Sequence, residues 1–345
     1  MSGMLLAAGM RVRRRVLGAV GGSAIVLTYH RIAELKRDPQ RLALSPELFN
    51  DQIRALSSAF RMVPLTEIVD ALAEQRPLPR RSVAVTFDDG YADNLVNAKP
   101  ILESAGVPGT VFVATARLHQ PSEFWWDELE QLILGTETLP ERLSIPGKDH
   151  IACPGCPQRT DMDDARFSGW SVLEEPPTPR HSLYLHLSRL IERESPASRI
   201  VILRSIREQL GAVGGPRVEN RHLTRDELKA LTRGDLIDVG AHTVSHSRLS
   251  ELPVSQQESE IAESKQDLES SLSRPIRLFS YPYGDPASFT EDTVRIVRRL
   301  GFSGAVGTHH TMVTKWTDRY RVPRYAATAT SGDELVRSVC RWFGD

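Results

Sequence analysis

Apolar residues along this chain follow two alternating rhythms. AIVLTY at 24–29 is an unbroken apolar run of strand length that ends at His30, as a buried strand requires. SPELFNDQIRALSSAF at 45–60 opens with Ser-Pro-Glu and repeats Phe49, Ile53, Leu56 and Phe60 at helical spacing, which predicts a helix with a defined start. LTEIVDALAEQ at 65–75 predicts a second helix, PLPRR breaks the chain, and SVAVTF at 82–87 predicts the next strand. NLVNAKPILESAG then reads as a helix kinked at Pro100, and GTVFVAT at 109–115 as a strand. After residue 223 the rhythm resumes. Helices are expected at 224–234, where Thr224 and Glu227 form a capping box, and at 256–272, 289–301 and 331–343. They alternate with strands at 236–240, 276–281 and 302–307.

Strand, helix and strand in repeated order imply a parallel sheet with right-handed crossovers. The pattern favours an α/β fold built as a (β/α) barrel, complete or distorted, though an open doubly wound sheet gives much the same order. Between 119 and 222 the alternation lapses. EFWWDELEQLIL at 123–134 and HSLYLHLSRLIERE at 181–194 look helical, while 135–180 is rich in Pro, Gly and Asp. The expected organisation is a basic and apolar N-terminal segment at 1–23, a first barrel part at 24–119, a largely helical and irregular insertion at 120–222, and a second barrel part at 223–345. The insertion is placed to shape a substrate cleft or a partner surface.

Composition narrows the function classes. Among 345 residues, 40% are apolar and 25% charged, with a formal net charge of -1; this is globular composition and gives no electrostatic case for nucleic acid. Three cysteines make no paired framework, so a cytoplasmic location is the default expectation. RVRRR at 11–15 followed by VLGAVGGSAIVL at 16–27 is too short to span a bilayer. A signal peptide and a basic face resting on a membrane stay open, and the oligomeric state is not legible. CPGC at 153–156 near His150 invites a zinc or redox reading, but a structural zinc site wants four ligands and the segment offers three; a loop with two thiols is the simpler expectation. Trp125 and Trp126 read as core first and as sugar-stacking residues second.

The chemistry concentrates at strand ends. VAVTFDDGYADN at 83–94 ends its strand in adjacent carboxylates, Asp88 and Asp89, which repel one another unless a cation or a proton intervenes. GAHTVSHSRLS at 240–250 supplies His242 and His246, four apart; on a helical turn that spacing puts both imidazoles on one face. Two nitrogens and one carboxylate oxygen suit divalent zinc with a position left open for water, while cobalt, nickel or iron could take the same geometry. One aspartate can ligate while its neighbour takes the proton from the water.

TFDDG at 86–90, HTVSH at 242–246 and SYPYG at 280–284 resemble three ordered motifs of the polysaccharide deacetylase superfamily, the NodB-homology or carbohydrate esterase family 4 group. The resemblance covers about 24–119 and 223–330. It implies a distorted (β/α) barrel and metal-dependent removal of an N-acetyl group from an amino sugar in a glycan or glycoconjugate. Removal of a formyl or other short acyl group from a lipid-linked or small-molecule glycoside is the second reading, and an inactive carbohydrate-binding or scaffolding protein the third. By this likeness Asp88 is the base, Asp89, His242 and His246 hold the metal, and the Tyr283 amide steadies the oxyanion. The family commonly carries Arg three residues before that Tyr, where this chain has Ser280; RVPRY at 321–325 offers Arg324 as the substitute and Arg321 as the reserve. The family's late Leu-x-x-x-His is also absent. His30 in TYHRI resembles the early histidine of some members and is the expected proton donor, with His309 and His310 as alternatives. Trp316 and Asp318 match the family's fourth, pocket-lining motif only loosely.

Overall fold

Strands form where the sequence runs apolar without a break. The computed structural model describes residues 22–119, 122–153, 166–212 and 215–344. It divides into two compact units, the described residues of Met1–Ala33, Leu44–His119 and Leu223–Asp345 in one, and of Glu34–Ala43 and Gln120–His222 in the other.

In the first unit β1 (Ala24–Tyr29) and β3 (Ser82–Phe87) are buried along their whole lengths and pair from Ala24↔Ser82 to Tyr29↔Phe87. The two-residue β2 (Arg61–Met62) joins the start of β3. β4 (Gly109–Val113), β5 (Ile237–Ala241), β6 (Leu278–Ser280), β7 (Gly304–Val306) and β8 (Tyr325–Ala326) complete the order β7-β6-β5-β4-β3-β1-β8, with every pairing parallel. A parallel bridge, Val306↔Val322, brings the chain leading into β8 against the β7 edge. The sheet therefore curls into a distorted half-barrel. It departs from a regular eight-fold (β/α) barrel because several strands are only two or three residues long.

Helices connect the strands and cover the sheet: α1 (Pro46–Ala59), α2 (Leu65–Ala73), α3 (Lys99–Ala105), α4 (Arg225–Leu231), α5 (Val254–Leu272), α6 (Glu291–Arg299) and α7 (Gly332–Phe343). Their starts are chemical. Ser45 and Ser331 accept backbone N–H bonds at the first turns of α1 and α7, and the capping box of Thr224 and Glu227 opens α4. The helix expected from 94 begins instead as a π-helical turn, Asn94–Ala98, before α3. Pro100 has no N–H to donate and its ring crowds the preceding turn, so the turn widens.

Alternation along the strands sorts the core. Ile25, Leu27, Val83, Val85 and Phe87 pack with Phe49, Ile53 and Leu56 of α1. Val26, Ala84, Phe112, Leu278, Val306 and Val322 face the other way and fill the sheet's concave side. Two residues beyond that apolar layer the same face carries Thr28, Thr86, Ser280 and Arg324, all buried. The concave interior thus turns polar toward the carboxyl ends of the strands.

The second unit has helices at Trp125–Glu130, Pro179–Glu192 and Pro196–Gln209 and a small hairpin of Arg142–Leu143 with Ile151–Ala152. Trp125 and Trp126 are core residues: both are buried, and Trp126 stacks on Phe124 with ring centroids 4.2 Å apart. Cys153 is buried, and Cys156 lies outside the described residues. The helix at 196–209 escapes sequence periodicity because Ile200 and Val201 are exposed beside buried Ile202, Leu203 and Ile206, which blurs its apolar stripe. No helix among the described residues is long and apolar enough to cross a membrane.

Candidate active site

β3 ends at Phe87, and the chain turns sharply through Asp89 at φ 75° and Gly90 at φ 77°. The turn is pinned on both sides, since the Asp89 carbonyl accepts from Ala114 N–H and the Gly90 carbonyl from Leu223 N–H. Gly90 is needed here. A Cβ would be in the left-handed region and 3.0 Å from Val113 Cγ1. The reversal separates the two carboxylates, sending Asp88 toward Arg324 and Asp89 toward His242 and His246.

Asp88 and Arg324 form a buried bidentate pair, with Nη1 2.8 Å from Oδ1 and Nη2 2.6 Å from Oδ2. Arg324 also donates to Thr86 Oγ1, Ser280 Oγ and the Gly307 carbonyl. All five guanidinium N–H groups therefore have acceptors. Burial alone would raise the Asp88 carboxyl, but the Arg324 charge, then His242, the Arg324 hydrogen bonds and His30 outweigh it and hold the carboxyl well below its usual range. Asp88 stays ionised. Ser280 accepts the guanidinium where the family motif would supply one. Arg321, the reserve, is instead partly exposed and paired with Glu291.

His242 follows β5 and directs Nδ1 at the Ser280 carbonyl, 2.8 Å away. A carbonyl only accepts, so Nδ1 carries the proton and Nε2 presents a lone pair. Burial, the largest influence, lowers the imidazole's pKa despite the Asp88 charge, keeping it neutral. His242 Nε2 and His246 Nε2 stand 3.6 and 3.3 Å from Asp89 Oδ1. Ligand atoms of the three residues all lie within 4.8 Å of one another. Two ligands about 2.0–2.1 Å from one zinc ion at tetrahedral angles are about 3.4 Å apart, so the spacing fits. The three residues are buried together and could hold a metal ion. The histidines come together by a route other than the expected helical turn: the segment is a loop with Thr243 at φ 65° and His246 at φ 57°. Glu260 of α5 secures this loop by accepting the Val244 and Ser245 N–H groups at 3.0 and 2.8 Å and the Ser245 hydroxyl at 2.6 Å.

Tyr283 sits in SYPYG at φ 63°, followed by Gly284 at φ 72°, and Thr308 ties the loop down through the Tyr283 and Gly284 carbonyls. The Tyr283 ring is 5.1 Å from that of His246, and the Arg248 guanidinium lies over the Tyr283 ring, 4.3 Å from its centroid. His30 follows β1 directly, beside Asp88, whose N–H bonds to the Tyr29 carbonyl. His310 stacks on Tyr325 at 5.3 Å, and His309 is half-buried, its pKa lowered by burial and then by the charges of Arg321 and His310. Trp316 and Asp318 do not line this site. Val313 pairs with Ala24, the first residue of β1, so the segment after it lies at the amino ends of the strands; there Trp316 and Asp318 border a groove with Leu72, Gln75 and Arg298.

Sequence reasoning missed Thr86 and Glu260. Thr86 was discoverable from its place two residues before Asp88, on the same strand face. Glu260 carries no local signal, because its partners are 15 and 16 residues away.

The family described as polysaccharide deacetylase matches residues 75–134 and 194–305. YxkH of Bacillus subtilis (strain 168), named as a polysaccharide deacetylase, is 30% identical over 87 residues, covering 25% of this chain and 30% of that protein. The matched region thus spans less than a third of the relative's length. Solved structures share the fold. The Streptococcus pyogenes deacetylase PplD in complex with acetate is 16% identical, with 93% of this chain and 99% of that one covered and a TM-score of 0.56. IcaB from Ammonifex degensii is 19% identical, with 94% and 98% covered and a TM-score of 0.56. A de-N-acetylase from Aggregatibacter actinomycetemcomitans is 14% identical, with 92% and 99% covered and a TM-score of 0.53. With three ordered motifs, a family match on both sides of the insertion and a parallel half-barrel that gathers the motif residues at its strand ends, this chain belongs to the polysaccharide deacetylase superfamily.

Proposed function

We propose that this chain is a zinc-dependent hydrolase that removes the N-acetyl group from an amino sugar within a glycan or glycoconjugate. The observation that carries the reading is the juxtaposition of the Asp89, His242 and His246 triad with the ionised Asp88–Arg324 pair. Acetyl as the acyl group is supported by the solved relatives, one a de-N-acetylase and another a deacetylase holding acetate.

Asp89, His242 and His246 would hold the cation, which when bound polarises the substrate carbonyl and acidifies water. Asp88 takes the proton of the attacking water. Arg324 fixes its plane and leaves Oδ1 a lone pair for that proton. The Tyr283 backbone N–H would donate to the developing oxyanion. His30 then protonates the amine nitrogen as the C–N bond breaks, because an amide anion is too poor a leaving group to depart alone.

Metal analysis and a free-amine assay across acetylated hexosamines, oligomers and nucleotide-linked sugars test this reading. Wild type should carry one metal per chain and release amine. His242→Ala with His246→Ala should lose both. Asp88→Asn should keep the metal and lose about 10²–10⁴-fold in rate. Unimpaired turnover by Asp88→Asn would remove Asp88 as the base.

A further inference from the structure

We infer that Asn94 and Asn97, presented by the π-helical turn after the DDG segment, are positioning residues that set the proton donor His30; this rests on the deacetylase reading above. The π turn spans Asn94–Ala98 and closes with the Lys99 N–H on the Asn94 carbonyl. From it Asn94 Nδ2 donates to the His30 carbonyl at 2.8 Å, and Asn97 Nδ2 donates to the Ile32 carbonyl at 2.7 Å. Asp93, just before the turn, accepts the Ile32 N–H at 2.9 Å and the Arg31 guanidinium at 3.1 Å. Arg31 is itself buried and lies over the Tyr91 ring at 4.4 Å. Residues 30, 31 and 32 are thus each held by the segment that also carries the aspartate doublet.

That arrangement serves geometry more than stability. β1 ends at Tyr29, so His30 has left the regular ladder with β3 and needs other partners to hold its backbone. Asn94 is buried and directs Nδ2 to the His30 carbonyl and to Asp93 Oδ1 at 3.2 Å. The hydrogen-bond geometry of a π turn is weaker than that of an α turn, and such turns occur often at functional sites. That cost falls on the turn that holds the His30 backbone. Because Asp88 and Asn94 belong to one short segment, the base and the proton donor are fixed relative to each other through it.

In the step concerned, the imidazolium N–H bond of His30 breaks, its proton goes to the departing nitrogen, the C–N electron pair becomes that nitrogen's lone pair, and His30 is left neutral. A misplaced His30 slows amide cleavage, since the amine needs that proton. An aryl acetate ester, whose phenolate departs unprotonated, is far less affected.

The test compares wild type, Asn94→Ala, Asn97→Ala, His30→Ala and the double variant of His30 and Asn94 on an N-acetylglucosamine oligomer and on an aryl acetate, with metal content measured for each. Asn94→Ala should lower kcat on the amide about 10- to 100-fold with little change in KM. Its loss on the ester should be much smaller, its metal content that of wild type, and Asn97→Ala should fall in between. On the His30→Ala background, Asn94→Ala should add nothing. Equal losses on amide and ester, or a full Asn94→Ala effect without His30, would overturn the inference while leaving the deacetylase standing. A metal-loaded wild type inactive on both substrates would overturn the deacetylase reading and this inference with it.

Discussion

Arg324 is a buried cation whose every N–H is engaged, and that completeness makes its loss expensive. Arg324→Ala strands the Asp88 carboxylate in a buried pocket, along with Thr86, Ser280 and the Gly307 carbonyl. Removing one partner of such a pair costs about 3–5 kcal/mol, so denaturant unfolding should report a loss of that size. An unchanged midpoint would mean that water replaces the guanidinium. Gly90→Ala is expected to destabilise by about 1–3 kcal/mol through its left-handed backbone, beyond the crowding against Val113. At this scale the sequence was informative where a residue type is scarce. An acidic doublet and a histidine pair stand out in any chain. A threonine such as Thr86 or a glutamate such as Glu260 does not.

Strands were the most legible elements, because a continuous apolar run in a parallel sheet has few other uses. β1 and β3 occupy the expected residues, 24–29 and 82–87. β2 is a two-residue Arg-Met strand with no pattern to detect. The histidine loop was legible in composition and misread in conformation: spacing of four fits a helical turn, but two left-handed residues bring the imidazoles together instead. That shape depends on Glu260, a partner from α5. Glu260→Ala should therefore weaken metal binding about 10- to 100-fold, read by competition with a chelating dye. Wild-type affinity in that variant would show that the loop holds its shape unaided. Period-two alternation held more information than was drawn from it. Continuing the inward rows of β1, β3, β6 and the segment entering β8 by two residues leads from the apolar layer to the polar one, from Ala84 to Thr86 and Asp88, from Leu278 to Ser280, and from Val322 to Arg324.

Across the whole molecule, the apolar layers are complete without the metal centre, which sits above them at the strand ends. Chelation should abolish activity and leave the circular dichroism spectrum unchanged. Zinc at about 100 times its Kd should add about 2.7 kcal/mol to stability, seen as a raised Tm that the His242 and His246 variants lack. Unfolding on chelation would instead make the metal a structural requirement. The position of the guanidinium was not readable, since residues 88 and 324 are brought together only by the closing sheet. That closure also constrains which side chains fit beside Asp88. Ser280 and Arg324 are both fully buried, and the Ser280 hydroxyl is 2.9 Å from the guanidinium, so the volume beside Asp88 that the guanidinium fills directly abuts position 280. An arginine added at 280 would crowd a second guanidinium against the first, and loss of Arg324 alone would leave none beside Asp88. Positions 280 and 324 therefore act as one unit beside Asp88, and a change at either alone should disturb that carboxylate.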